Sequence, residues 1–214
     1  MIWIHGGGFV MCSPDTHAPL IDAVTRQSNR TVVAPRYRLA PEHPFPAGWE
    51  DCRAVLDDLG DCDLGGDSAG ANIALSLAAT RPARIAQMVL LSPPVDLDPT
   101  RPVPEGSDDM IFPPSVLRRF LAAYLPPNVD PRDPRASPIH AEWTDPPRTL
   151  IQIAEGEMME GDADAVARRL AEAGASVRVE RWRGVPHDWQ MMVGLTPAAD
   201  AAIASIGRFL RVTG

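Results

Sequence analysis

The residues Gly66-Asp67-Ser68-Ala69-Gly70 form a G-x-S-x-G pattern between a short apolar run and a long alanine-rich one. That is the setting of a nucleophile elbow, where a tight strand-to-helix turn holds a serine hydroxyl exposed over a helix N-terminus that favours developing negative charge. Near the start of the chain, His5-Gly6-Gly7-Gly8 follows an apolar tetrapeptide. Backbone without side chains can aim N–H groups at a forming oxyanion. Gly7 and Gly8 from this loop, with Ala69 from the residue after the serine, are three candidate donors. His5 is expected to order the loop rather than take part in chemistry. A serine needs a base, and His187 lies just past the last strand-like segment, after Ser68 in chain order. His17, His43 and His140 lack that placement. The orienting acid belongs on the loop after the fifth strand, Glu155 to Gly161, which offers Glu155, Glu157 and Glu160; Asp162, just beyond, reads as a helix cap.

Composition narrows the possibilities. The 214 residues, 45% hydrophobic and 22% charged, suit one globular domain with a real core. A net charge of -8 argues against nucleic acid or anionic lipid as partner. All 20 basic residues are Arg, so chemistry that requires a lysine is excluded. Cys12, Cys52 and Cys62 match no zinc or disulfide spacing, and no metal is expected. The opening MIWIHGGG has no basic run and too short an apolar stretch for a secretory signal or a membrane span, and a cytoplasmic location is expected.

Short apolar runs alternate with helix-length amphipathic segments, the pattern of βαβ units and a parallel sheet. Strands are expected at Met1 to Ile4, Thr31 to Tyr37, a short segment ending at Leu64, Ile85 to Leu91, Leu150 to Ala154 and Val177 to Trp182. Pro35 confines the second of these to an edge. Helices are expected around Pro19 to Gln27, over Trp49 to Leu59, from Ala69 through ANIALSLAAT, after Asp162 with Gly174 as terminator, and over Ala198 to Leu210. The 23 prolines concentrate between Pro93 and Pro147, a loop-rich region.

HGGGF, the stretch YRLAPEHPFPA from Tyr37 to Ala47, GDSAG, and Gly184-Val185-Pro186-His187 together make the chain resemble the hormone-sensitive-lipase-like branch of the α/β-hydrolases. The resemblance runs through essentially the whole chain. It implies an α/β fold: a mostly parallel sheet, here of six strands, with helices on both faces and a reduced cap at residues 98–147 inserted into a single domain. It implies a serine nucleophile, Ser68, a base, His187, and an acid whose place in the pattern falls on Glu157, although Asp is commoner there. Substrates would be small acyl esters, cleaved without a cofactor. Phe9, Met158 and Trp189, with Met159, Met191 and Met192, sit close enough to the motifs to line an apolar pocket, though core packing would equally explain each. Asp188 is expected to be a solvent-exposed loop charge, and Arg178, Arg181 and Arg183 a solvated strand face.

The chain also departs from the family pattern. Members usually carry an upstream segment with two further strands and part of a cap; four residues precede HGGG here. Arg36 stands where the family has an acidic residue. Within 98–147 the resemblance persists, with Pro113 to Leu125 as the cap helix and Ser137-Pro138 in place. The expected strand order leaves Thr31 to Tyr37 as an uncovered edge, which predicts a homo-oligomer or a substrate large enough to use the opening. The function expected is a serine carboxylesterase with a pH dependence near the ordinary histidine pKa of ~6.5. An acyltransferase or lactone-forming enzyme, and an inactive hydrolase fold that binds a ligand, are the alternatives.

Overall fold

The computed structural model describes residues 1–80, 85–102 and 113–212. Among the described residues, five strands, β1 (Ile2–Ile4), β2 (Leu64–Asp67), β3 (Gln87–Leu91), β4 (Arg148–Ala154) and β5 (Val177–Trp182), form one sheet in sequence order, each neighbouring pair parallel. Six helices are α1 (Ala18–Ser28), α2 (Ala47–Leu59), α3 (Ala69–Thr80), α4 (Pro114–Tyr124), α5 (Glu160–Glu172) and α6 (Pro197–Arg211) among the described residues.

The alternation of side chains along each strand divides the core between the two faces of the sheet. Ile2 and Ile4, Met88 and Leu90, and Ile151 and Ile153 face one way, and pack with Trp49, Cys52 and Leu56 of α2, Ile73 and Leu77 of α3, and Val166 and Leu170 of α5. Trp3, Val89, Leu91 and Leu150 face the other way, onto Leu20 and Val24 of α1 and Ile203, Ile206, Phe209 and Leu210 of α6. The helix α3 is buried through Ala78, which accounts for its run of Ala and Leu.

The sixth strand expected at Thr31 to Tyr37 is reduced to one bridge, Val33 beside Ile2. Trp3 N–H donates to Val33 O and Val33 N–H to Met1 O, both at 2.9 Å, and Pro35 has no N–H with which to continue the ladder. The bridge lies outside β1, on the side where the missing strand was expected. Asp162 does not cap α5 either. That helix begins at Glu160, and the buried Asp162 instead accepts from Val95 N–H at 2.9 Å and pairs with Arg101. Gly174, at φ +96°, follows α5 as its terminator. Within the expected cap, α4 matches the helix read from the sequence, and residues 103–112 lie outside the described residues.

Because every strand runs the same way, all five deliver their following loops to one edge of the sheet, the edge where open α/β sheets place their ligands. The glycine loop follows β1, Ser68 follows β2, Ser92 follows β3, Glu157 follows β4 and His187 follows β5.

Candidate active site

Ser68 occupies the single position between β2 and α3 and has a left-handed φ of +46°. Such a conformation costs a non-glycine residue energy and persists only where its surroundings hold it. Here Ser68 N–H donates to Leu91 O on β3 at 2.8 Å. The flanking glycines exist for close approach: a Cβ on Gly70 would lie 2.0 Å from Ile4 O, and one on Gly66 2.6 Å from the Gly70 backbone. The first strand thus passes directly against the turn that carries the serine.

His187 meets the serine across 119 residues of chain. Its Nε2 lies 3.1 Å from Ser68 Oγ, and its Nδ1 lies 2.5 Å from Glu157 Oε2. Glu157 is buried, and its other oxygen, Oε1, accepts from Ser92 Oγ at 2.6 Å and Ala154 N–H at 3.0 Å. With Glu157 accepting at Nδ1, the imidazole carries its proton there and turns Nε2 to the serine. The other acids considered are engaged elsewhere: Glu155 is exposed and pairs with Arg183, Glu160 accepts from Gly156 N–H, and Asp162 is held by Arg101. Ser92 was not singled out from sequence. A serine ending a buried strand at the carboxyl edge of a parallel sheet is the signal that could have found it.

Asp67, at the first unspecified position of G-x-S-x-G, ties the two glycine motifs together. Its Oδ2 accepts from Gly6 N–H at 2.8 Å and His17 Nε2 at 2.9 Å, and Oδ1 from Trp3 Nε1 at 3.1 Å. His17 is therefore a buried member of the scaffold, whereas His43 and His140 are exposed. His5 stacks on Tyr37 with ring centroids 4.3 Å apart, and the Tyr37 hydroxyl donates to His5 O at 2.9 Å. Ala40 N–H donates to Phe9 O at 3.0 Å, so the YRLAPEHPFPA stretch braces the glycine loop. Arg36 pairs with Asp15 at the surface.

Gly7, Gly8, Ser68 and His187 share one cavity of about 240 Å³. Met11, Cys12, Pro186, Trp189, Met191 and Met192 complete most of its wall. Trp189 borders this cavity, but its side chain is fully buried with Ala154, Ala199 and Ala202. Phe9 does not line it: it is buried in the core, stacked on Tyr124 with ring centroids 3.8 Å apart. Met158 and Met159 line a second cavity with Pro94, Leu97, Leu117 and Leu121, next to the Arg101 and Asp162 pair.

Asp188 contradicts the expectation of a solvent-exposed charge. Its side chain is 16% exposed and its Oδ2 lies 3.2 Å from His187 Nε2. Burial raises its pKa to about 6, against the opposing pull of His187. Burial on its own would lower the His187 pKa, but the charge and hydrogen bond of Asp188, with those of Glu157, outweigh it and hold the imidazole well above its ordinary value. His17 follows the same balance: burial lowers its pKa, and the Asp67 hydrogen bond and charge, helped by Asp188 and the Ser13 carbonyl, raise it further than burial depresses it. The buried His5 is shifted down by desolvation. Arg178, Arg181 and Arg183 on and beside β5 pair with Glu180, Asp164 and Glu155, as a solvated strand face should.

A sequence profile of the α/β-hydrolase fold matches residues 1–191. The chain belongs to the α/β-hydrolase family. Within it, the solved structure of an esterase from the bacterial hormone-sensitive lipase family superposes with a TM-score of 0.90 at 33% identity, over 99% of this chain and 75% of that one. This hydrolase is 34% identical over 224 residues to an acetyl-hydrolase of Streptomyces hygroscopicus, covering 99% of this chain and 75% of that protein. It is 32% identical to a carboxylesterase/phospholipase, LipF, of Mycobacterium tuberculosis, and there it spans 61% of the relative's length. The hydrolase lies in the hormone-sensitive-lipase-like branch, as its four motifs implied. Among the described residues, no helix is long and apolar enough to cross a membrane.

Proposed function

We propose that this hydrolase is a serine carboxylesterase acting on small acyl esters. The reading rests on one observation above the rest, the chain of contacts from Ser68 Oγ through His187 to Glu157, at 3.1 and 2.5 Å. Ser68 Oγ attacks the ester carbonyl carbon while His187 Nε2 takes its proton. The tetrahedral oxygen forms against the amides of Gly7, Gly8 and Ala69, donors on two backbone turns that Asp67 and Gly70 hold together. Collapse breaks the carbon to alkoxy bond, and His187 returns the proton to the departing alcohol, leaving the acyl group on Ser68. Water then attacks that acyl carbon with the same base, and the acid leaves.

Glu157 orients the imidazole and balances its charge, and Ser92 and Ala154 N–H orient Glu157. Met11, Met191 and Met192 give the substrate an apolar wall. Hydrolysis is favoured over acyl transfer by the relatives, which carry the names acetyl-hydrolase and carboxylesterase. An inactive ligand-binding fold is disfavoured by the serine-to-imidazole contact, which such a role would not need. Ser68→Ala is expected to lower kcat on short-chain nitrophenyl esters by at least ~10⁴-fold with the fold intact by circular dichroism. Full turnover in that variant would remove Ser68 from the mechanism.

A further inference from the structure

The Ser68 cavity holds a carboxylate for which ester hydrolysis, as derived above, has no use. Asp188 Oδ1 is buried without a hydrogen-bond partner among the described residues, while Oδ2 lies 3.2 Å from His187 Nε2. When the imidazole is protonated, its Nε2–H is contested, since Ser68 Oγ lies 3.1 Å from the same nitrogen. The other acids nearby are occupied. Glu157 takes His187 Nδ1, Ser92 and Ala154 N–H, and Asp67 takes His17, Trp3 and Gly6 N–H. Burial raises the pKa of the Cys12 thiol. No arginine lines the cavity among the described residues; its two imidazoles, His17 and His187, are the groups that can carry positive charge there.

We propose that Asp188 selects esters whose alcohol carries a positively charged ammonium group, and that the group binds against this carboxylate in the cavity at Ser68. The inference deepens the esterase reading and rests on it. The side of the substrate follows from the proton path: Nε2 returns its proton to the leaving oxygen, so the alcohol passes next to Nε2 and hence next to Asp188. The thioethers of Met11, Met191 and Met192 suit the methyl and methylene groups around such a nitrogen. The chain's charge of -8 draws a cation toward it. Once bound, the ammonium offsets the carboxylate's charge, so Asp188 holds the proton on Nε2 less tightly and this nitrogen becomes free to accept from Ser68 at lower pH. An uncharged alcohol cannot do this.

The test compares kcat/KM for acetylcholine and its uncharged carbon isostere, 3,3-dimethylbutyl acetate, at a pH where His187 is neutral, in the native protein, Asp188→Asn and Asp188→Gly. Asp188 has a φ of +52°, which Asn and Gly both accept, so neither variant strains the loop. The native enzyme is expected to favour the cation on the order of tenfold, with the preference shrinking as salt rises. Both variants should bring the ratio close to one. The ratio is taken within each protein, so a general loss of activity cancels. The acidic limb of kcat should also fall at lower pH for the cation than for its isostere. A ratio unchanged by both variants, or a native preference for the isostere, overturns the proposal. Failure to turn over either ester or a nitrophenyl ester would sink the esterase reading on its own. The cation site is then read by calorimetric titration with tetramethylammonium: saturable binding lost in Asp188→Asn supports it, and no binding to the native protein overturns it.

Discussion

The pH dependence of kcat/KM is the prediction on which the site's electrostatics bear most directly. His187 must be unprotonated to accept the Ser68 proton, so activity is low below its pKa and rises as pH passes through it. An unperturbed imidazole would put that rise at ~6.5. In the structure, burial alone would move it lower, but Asp188 at Nε2 and Glu157 at Nδ1 more than reverse this, so the limb is expected clearly above that value. Asp188→Asn removes the leading cause of the rise. At 3.2 Å two unit charges attract by about 1.3 kcal/mol at the dielectric of water and about 5 kcal/mol at an effective value of about 20. One pKa unit corresponds to about 1.36 kcal/mol, so the limb should drop by about one unit or more. The assay is initial rate on an uncharged nitrophenyl ester at subsaturating concentration, from about pH 5 to pH 9. Asp188 and His187 titrate as a pair, so the limb belongs to both, and the comparison of native and variant protein is what isolates the carboxylate. A native limb at or below ~6.5, unmoved by the substitution, would refute the account of how these two groups interact.

Three further outcomes follow from the same contacts. Glu157→Gln, which leaves Nδ1 without a carboxylate, should cut kcat on the order of 10³- to 10⁴-fold by steady-state kinetics, as loss of the orienting acid does in other serine hydrolases. Ser92→Ala frees Glu157 Oε1 from one of its two donors and should lower kcat roughly tenfold with KM little changed, because a hydrogen bond to a charged group contributes about 1.5 kcal/mol or more. Gly70→Ala would place a methyl group 2.0 Å from Ile4 O, a backbone atom that cannot step aside; it is expected to give insoluble protein or a much reduced Tm in a thermal melt.

What could be read from the sequence and what could not divide along one physical line. The elbow and the glycine loop are local: their conformations are demanded by residues within a few positions of one another, and GDSAG and HGGG announce them. His187 follows from chain order once the strands are counted, because a parallel sheet gathers all its carboxyl-end loops at one edge; the same reasoning leaves Glu155, Glu157 and Glu160 open, and the family resemblance is what points to Glu157. The contacts that hold the candidate site together are different in kind. Asp67 to His17 spans 50 residues, Ser92 to Glu157 65 and Trp3 to Asp67 64, and no periodicity or spacing marks such pairs. Asp188 has the composition of a loop charge, and only the approach of its carboxylate to Nε2 shows otherwise. Asp162 has the sequence of a helix cap, yet Arg101, 61 residues away, claims it. Thr31 to Tyr37 has a β-branched start but lacks, at Pro35, the N–H needed to extend a ladder; local propensity and tertiary pairing disagree there, and pairing wins. Phe9, chosen for its place beside HGGG, turns into the core because Tyr124 offers it a stacking face.

The most direct test of the central claim is labelling with a fluorophosphonate, which needs a nucleophilic hydroxyl, a base and an oxyanion site in one place. Intact mass spectrometry is expected to show a single adduct on the native protein, peptide mapping to put it on Ser68, and labelling to vanish in Ser68→Ala and slow by orders of magnitude in His187→Ala. Folded native protein that takes no adduct, or takes it on another residue, would contradict the account.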